Sequence, residues 1–205
     1  MKTISILISG RGSNLLAILS AIEEGWIACN VGVVISNNPN ARGLNFVPSR
    51  IPTKVVEYGK SVEDRKTAET EIDKTLREVG TDFVILAGFN RILSSEFIEK
   101  WKNKVVNIHP SLLPAFPGMN AQKQAFEYGA AITGCTVHFV DSGVDTGPII
   151  AQRHVYINSD DTVETVSDKI LRNENDLYPL VILWLIEDRL TIEGKRVKIS
   201  WPQTN

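Results

Sequence analysis

At 205 residues, with 43% apolar and 22% charged side chains, the chain has an ordinary globular composition and enough apolar material for one substantial core. A formal net charge of −2 and an isoelectric point near 6.0 argue against a nucleic acid or an anionic membrane as the main partner, because such proteins carry a basic excess; any anionic ligand must be met locally. Cys29 and Cys135 are isolated and far apart, so neither a disulfide framework nor a zinc site is indicated. No apolar run approaches bilayer length, and the first eight residues are too quickly interrupted by Ser9 and Gly10 to form a signal peptide, which makes the cytoplasm the expected location.

Along the chain, apolar runs alternate with amphipathic segments. Residues 4–8 read as a strand, 15–22 as a helix, 31–35 as a strand, and 61–79 as a helix that opens on a Ser61-x-x-Asp64 cap and closes at Gly80. Residues 83–87 and 105–108 are again short, apolar and rich in β-branched side chains, as buried parallel strands are. Strand, helix, strand repeated in this way predicts an α/β protein with a parallel sheet and right-handed crossovers. Residues 137–140 and 149–157 read as two further strands joined by a glycine-rich loop. A long helix over 162–187 follows, kinked at Pro179, and then a polar tail with a short strand or hairpin and a frayed end. Nothing in the composition divides the chain, so a single domain over 1–205 is expected.

Three segments carry chemistry. Ser9-Gly10-Arg11-Gly12-Ser13-Asn14 lies between the first strand and the first helix, where glycines let a ligand approach the backbone and the helix offers N–H groups to an anion such as phosphate. It fails as a dinucleotide fingerprint at Leu15 and lacks the ending of a P-loop; the alternative is a tight turn with Ser13 as N-cap. Asn107 and His109, two apart at the end of an apolar strand, share a face, and an amide beside an imidazole suits acyl transfer. The alternative is a polar pair capping the loop that begins at Pro110. The 141–148 segment, with two glycines and a proline, can hold Asp145 rigidly against His109, or it is simple turn chemistry. A single Asp145-Thr146-Gly147 triplet does not make an aspartic protease, whose chemistry needs two carboxylates. The Gly10 turn, Gly88-Phe89-Asn90 and Asn107/His109 all follow strands, which is where doubly wound sheets bind ligands.

The run from Asn107 to Gly118, Asn-Ile-His-Pro-Ser-Leu-Leu-Pro-Ala-Phe-Pro-Gly, closely resembles the signature of folate-dependent formyltransferases. The likeness extends over about residues 2–190 and includes Ile8-Ser9-Gly10-x-Gly12-Ser13-Asn14, the 86–94 segment, His138-Phe139-Val140, Asp145-x-Gly147-Pro148 and the 178–182 segment. The resemblance implies a single Rossmann-like domain, with a mostly parallel twisted sheet, helices on both faces and an antiparallel C-terminal part. Its phosphate-binding half would cover about 1–100 and its catalytic and folate-binding half about 101–190, ahead of a polar tail over 191–205.

The implied reaction passes the formyl group of 10-formyltetrahydrofolate to the amine of a small phosphorylated acceptor in purine synthesis, without a metal. Asn107, His109 and Asp145 match the catalytic positions. Gly12, Ser13, Asn14, Arg65 and Glu174 match acceptor-binding positions; Asn90, Arg91, Ile92, Leu93 and Asp141 match the folate site. Asn120-Ala121-Gln122 stands where some relatives have His-x-His, and Leu171 where some have a polar residue. The implied partners are small molecules, with no nucleic acid or membrane, and a homodimer is compatible with the sequence.

Three alternatives keep part of this pattern: a hydrolase using water as acceptor, a formyltransferase acting on methionyl-tRNA, and a non-catalytic binding protein. The expected phosphate cradle weighs against the first. The chain shows no sign of the extra domains of the first two, and the Asn107, His109 and Asp145 set weighs against the third. His138 reads as a structural strand residue, His154 as a surface residue, Ser111 as no nucleophile for want of a base, and the four tryptophans as anchors rather than stacking platforms.

Overall fold

The computed structural model describes residues 1–59 and 61–201, which form two compact units, Met1–Asn107 and Ile108–Asn205. In the first, β1 (Thr3–Ile8), β2 (Asn30–Ser36), β3 (Thr53–Val55), β4 (Phe83–Leu86) and the start of β5 (Val105–His109) run parallel in the order β3-β2-β1-β4-β5. Ile4, Ile6, Leu7 and Ile8 of β1 and Val84 and Ile85 of β4 are wholly buried, as near-continuous apolar strands must be when both faces of a sheet are covered.

Helix α1 (Ser13–Glu23) buries Leu15, Ile18 and Leu19, and α2 (Val62–Glu78) buries Ala68, Ile72 and Leu76, each at helical spacing. The Ser61 hydroxyl accepts from the Asp64 amide and the Asp64 carboxylate from the Ser61 amide, both at 3.0 Å, which is the expected cap in closed form. The chain leaves β1 toward β2 on one side, and β4 later enters on the other. The order therefore reverses between β1 and β4, and it is beyond the carboxyl ends of strands at such a reversal that doubly wound sheets bind ligands.

In the second unit β6 (Ile132–Phe139) pairs antiparallel with β7 (Ile149–Tyr156), with a register shift at Val137/His138. Helix α5 (Val163–Ile186) packs on both strands, buries Val166, Ile170, Leu177, Val181 and Ile182, is capped by Thr162, and runs without interruption through Pro179. The tail forms the hairpin β8 (Leu190–Glu193) and β9 (Arg196–Ile199), turning at Gly194, with β9 joining β7 in parallel at Ile149↔Arg196. Residues 202–205, where a frayed end is expected, lie outside the described residues.

Four elements are absent from the sequence reading: β3, the 3₁₀ turn Arg42–Phe46, α3 (Ser95–Lys100) and α4 (Ala121–Tyr128). Strand β6 also begins five residues before the expected 137. Thr133, Gly134 and Thr136 lack the apolar signature, yet all three are buried. The Thr136 hydroxyl accepts from the Leu113 amide at 3.0 Å and donates to the Ser111 carbonyl at 2.7 Å, which makes a polar residue acceptable there. Gly134 permits a close approach: a Cβ at this position would stand 2.0 Å from the Arg153 carbonyl oxygen of β7. We expect Gly134→Ala to separate β6 from β7 and to lower stability by about 2 kcal/mol or more. In thermal unfolding that is a fall of roughly 4–8 °C; an unchanged midpoint would contradict the close approach.

Candidate active site

The first unit places the Gly10 turn directly after β1. Gly12, at φ 79°, is the N-cap of α1, and a Cβ on it would lie 2.4 Å from Gly43 Cα, because the Arg42–Phe46 turn braces the loop and the Gly43 amide donates to the Gly10 carbonyl at 3.0 Å. Ser13 is the first helical residue and not the N-cap, which corrects the alternative reading of this turn. Helices α2, α3 and α5 are each capped by a hydroxyl, from Ser61, Ser94 and Thr162, whereas no side chain caps α1 or α4 and no acidic residue stands in the first turn of either. An uncapped, positively polarised helix start suits an anion.

The segment after β4 is tied to this turn. Ser9 Oγ accepts from the Asn90 amide at 2.8 Å and lies 2.5 Å from the Asn37 side-chain amide, and Asn38 Nδ2 donates to the Ser9 carbonyl at 3.2 Å. Asn90, Arg91 and Ile92 are exposed and Leu93 is buried. The Arg91 guanidinium lies 6.0 Å from the Tyr58 ring centroid, and Tyr58 meets Phe89 edge-on at 5.8 Å. The Tyr58 hydroxyl is buried with no hydrogen-bond partner. Burial, and then the Glu69 carboxylate, push its phenol well above the ordinary value against the opposing pull of Arg65 and Arg91. Arg65 itself is exposed and lines a cleft of about 200 Å³ with Lys66, Glu69, Ser94 and Lys100. Buried Glu69 accepts from both the amide and the hydroxyl of Ser94. Sequence reading missed Asn37, Asn38, Tyr58 and Glu69, because their significance lies in contacts with residues that are mostly distant in the chain.

The second unit brings His109, Asp145 and His138 together. His109, at the end of β5, is 5% exposed; its Nδ1 lies 3.3 Å from Asp145 Oδ2 and its Nε2 2.9 Å from the Phe116 carbonyl oxygen. Both ring nitrogens thus face oxygen acceptors. Asp145 Oδ2 also accepts from the Gly118 amide at 2.8 Å, and Oδ1 lies 3.7 Å from His138 Nε2. Asp145 therefore faces two imidazoles.

The expectation of a structural His138 holds in part. Its Nδ1, 2.8 Å from the Phe139 carbonyl oxygen, carries a hydrogen, and burial lowers its pKa, with the Phe139 and Asp145 contacts pulling upward and His109 downward. What sequence reading missed is that this neutral ring also borders the carboxylate. The signal was available in the proximity of the His138-Phe139-Val140 and 141–148 motifs.

Asn107 is half-buried two residues before His109 on β5, where strand periodicity puts the two on one side. Asp141 accepts from Thr146 Oγ1 at 2.6 Å, the Gly143 amide at 3.1 Å and Lys195 Nζ at 3.3 Å. Its partial burial opposes ionisation, yet these donors hold its pKa below the usual carboxylate value. Glu174 is buried on α5, and the Cys135 thiol is pushed up to about 12 by burial and then by Glu174, which makes it unreactive. Ser111 is fully buried with its hydroxyl donating to the Ala115 carbonyl at 2.5 Å, so it is structural. His154 is exposed and stacks edge-on with Tyr156. Trp101 and Trp184 are buried, while Trp26 and Trp201 are exposed. Among the described residues no group of three His, Cys, Asp or Glu is arranged to hold a metal, and no helix is long and apolar enough to cross a membrane.

Comparison with known proteins places these motifs in a family. Residues 2–182 match the model described as formyl transferase. The chain is 39% identical over 188 residues to phosphoribosylglycinamide formyltransferase of Bacillus subtilis, covering 91% of this chain and 95% of that protein. It is 42% identical over 199 residues to the human trifunctional purine biosynthetic protein adenosine-3, covering 97% of this chain but spanning only 20% of that longer relative. The crystal structure of glycinamide ribonucleotide transformylase 1 from Symbiobacterium toebii superposes with a TM-score of 0.90 at 43% identity, over 97% of this chain and 94% of that one. The match runs through the glycine turn of the first unit and through His109 and Asp145 of the second, and the chain belongs to the formyl transferase family.

Proposed function

We propose that the protein transfers the formyl group of 10-formyltetrahydrofolate to the amine of glycinamide ribonucleotide, releasing tetrahydrofolate and formylglycinamide ribonucleotide. The observation that carries this reading is the His109–Asp145 pair, braced by the Gly118 amide and by a backbone carbonyl on the far edge of the ring. Such a pair, with Asn107 two residues away, is what acyl transfer to an amine requires.

In the proposed sequence the acceptor's amine nitrogen attacks the formyl carbon and forms a new C–N bond. Asn107 and His109 stabilise the negative charge that develops on the formyl oxygen. Collapse of the tetrahedral intermediate breaks the bond from that carbon to the folate nitrogen. The proton lost by the amine passes, with Asp145 and His109 assisting, to the leaving folate nitrogen. A substrate oxygen that hydrogen-bonds His109 Nε2 takes the place of the Phe116 carbonyl.

The α1 start at Gly12, Ser13 and Asn14, uncapped by any side chain, receives the acceptor's phosphate, and Glu174 and Arg65 contribute to acceptor binding. Asn90, Arg91, Ile92 and Leu93 form a wall for the folate. Asp141 serves that site through its turn, since its carboxylate is occupied by Thr146, Gly143 and Lys195. Orientation of two substrates and preorganised dipoles supply much of the acceleration.

The direct experiment is formyl transfer by purified protein from 10-formyltetrahydrofolate to glycinamide ribonucleotide, beside a control with water alone. Folate released without acceptor would favour a hydrolase, and no turnover in either assay would overturn the reading. Asp145→Asn keeps an oxygen for the Gly118 amide and tolerates the left-handed backbone at this position, where φ is 55°, so its fold should survive. We expect this variant and His109→Ala to lose roughly 10²-fold or more in kcat with melting temperatures near that of the wild type. Near-normal turnover in either would remove that residue from the mechanism. Arg65→Ala should raise the KM for glycinamide ribonucleotide by about tenfold and leave the folate KM unchanged. A rise in the folate KM instead would assign Arg65 to the wall beside Arg91, with which it shares Tyr58.

A further inference from the structure

Asp145 adopts φ 55°, a left-handed conformation that residues other than glycine rarely take, so contacts around the turn must hold it there. Two layers of contact do so. Inside the turn, the Asp141 carboxylate gathers the Gly143 amide at 3.1 Å and the Thr146 hydroxyl at 2.6 Å. Outside it, Lys195 Nζ donates to Asp141 Oδ2 at 3.3 Å and to the Thr146 carbonyl at 2.8 Å, spanning the turn from its first residue to the one after Asp145. Lys195 is delivered by the C-terminal hairpin. It follows Gly194 at the tip between β8 and β9, and the next residue, Arg196, is in register with Ile149 at the start of β7. The strand that leaves the catalytic turn thus also fixes where the ammonium stands.

We propose that Lys195 is a positioning residue for formyl transfer. By bridging Asp141 and the Thr146 carbonyl, it holds the 141–146 turn so that the Asp145 carboxylate stays in front of His109. The inference rests on the transferase reading above. The Lys195 side chain is 73% exposed, so the ion pair with Asp141 is weak and screened by salt, whereas the bond to the neutral carbonyl persists. The effect of losing it is accordingly moderate and local.

The test compares Lys195→Met, Lys195→Arg and, as a control on the same hairpin, Lys198→Met, whose lysine pairs with Glu193 at 2.7 Å away from the turn. Hydrogen exchange of peptides covering 141–147 is followed beside steady-state kinetics with both substrates varied. We expect Lys195→Met to accelerate exchange at 141–147 by about tenfold and to lower kcat by roughly three- to tenfold at an unchanged KM for the acceptor. Lys195→Arg should restore both to within about twofold, since it keeps the charge and the donors, and Lys198→Met should match the wild type. Lys195→Met behaving like Lys198→Met in exchange and in kcat would overturn the proposal. So would accelerated exchange spread equally along α5, which would show general loosening of the unit. If the wild type itself transfers no formyl group, the functional reading falls, while the exchange measurement still decides whether Lys195 holds the turn.

Discussion

The Asp145 carboxylate is the contact on which the rest of the site depends. It accepts from the Gly118 amide, faces the imidazoles of His109 and His138, and sits on a backbone conformation that its own turn must maintain. Only 13% exposed, this carboxylate finds its partners in a backbone amide and in histidine. Much of the second unit acts as support for this one charge. The β6–β7 hairpin carries the turn, the loop after β5 supplies Gly118, and the buried neutral ring of His138 closes its other side.

The first unit solves a different electrostatic problem. In the proposed reaction a protein of net charge −2 has to meet a phosphorylated acceptor locally, and α1 starts, uncapped, at the point where the strand order reverses. Ser9, Asn37, Asn38 and Asn90 then lock the two loops at that point through side-chain bonds. The loop is held by hydrogen bonds, and α1 has no acidic residue in its first turn to compete with an incoming anion.

Much of this was legible in the sequence, for reasons that can be named. The strands of the parallel sheet announce themselves because burial on both faces demands continuous β-branched runs, and α2 because its cap and its terminal glycine are both written out. Period-two spacing singled out Asn107 and His109, and the turn composition pointed to Asp145. The early part of β6 was hidden because Thr136 is satisfied by bonds to Leu113 and Ser111, and Gly134 by a neighbouring backbone, neither of which leaves a local signature. Helix α4 was hidden because the residues it buries are two alanines, Ala121 and Ala125, too small to register as an apolar stripe. His138, Tyr58 and Glu69 gain their meaning from partners that are brought near by the fold, and no pattern confined to one segment could reveal that.

The Phe116 carbonyl against His109 Nε2 has a thermodynamic consequence. The imidazole already satisfies its outer edge with a neutral oxygen, so in the proposed transfer a neutral formyl oxygen arriving there would exchange one carbonyl acceptor for another and gain little. Once that oxygen becomes an alkoxide, the same hydrogen bond becomes charge-assisted, and the displaced carbonyl can no longer compete with it. In the proposed transfer the protein's own backbone thereby sets the reference state, so that the stabilisation offered by His109 would fall on the transition state and be withheld from the bound substrate.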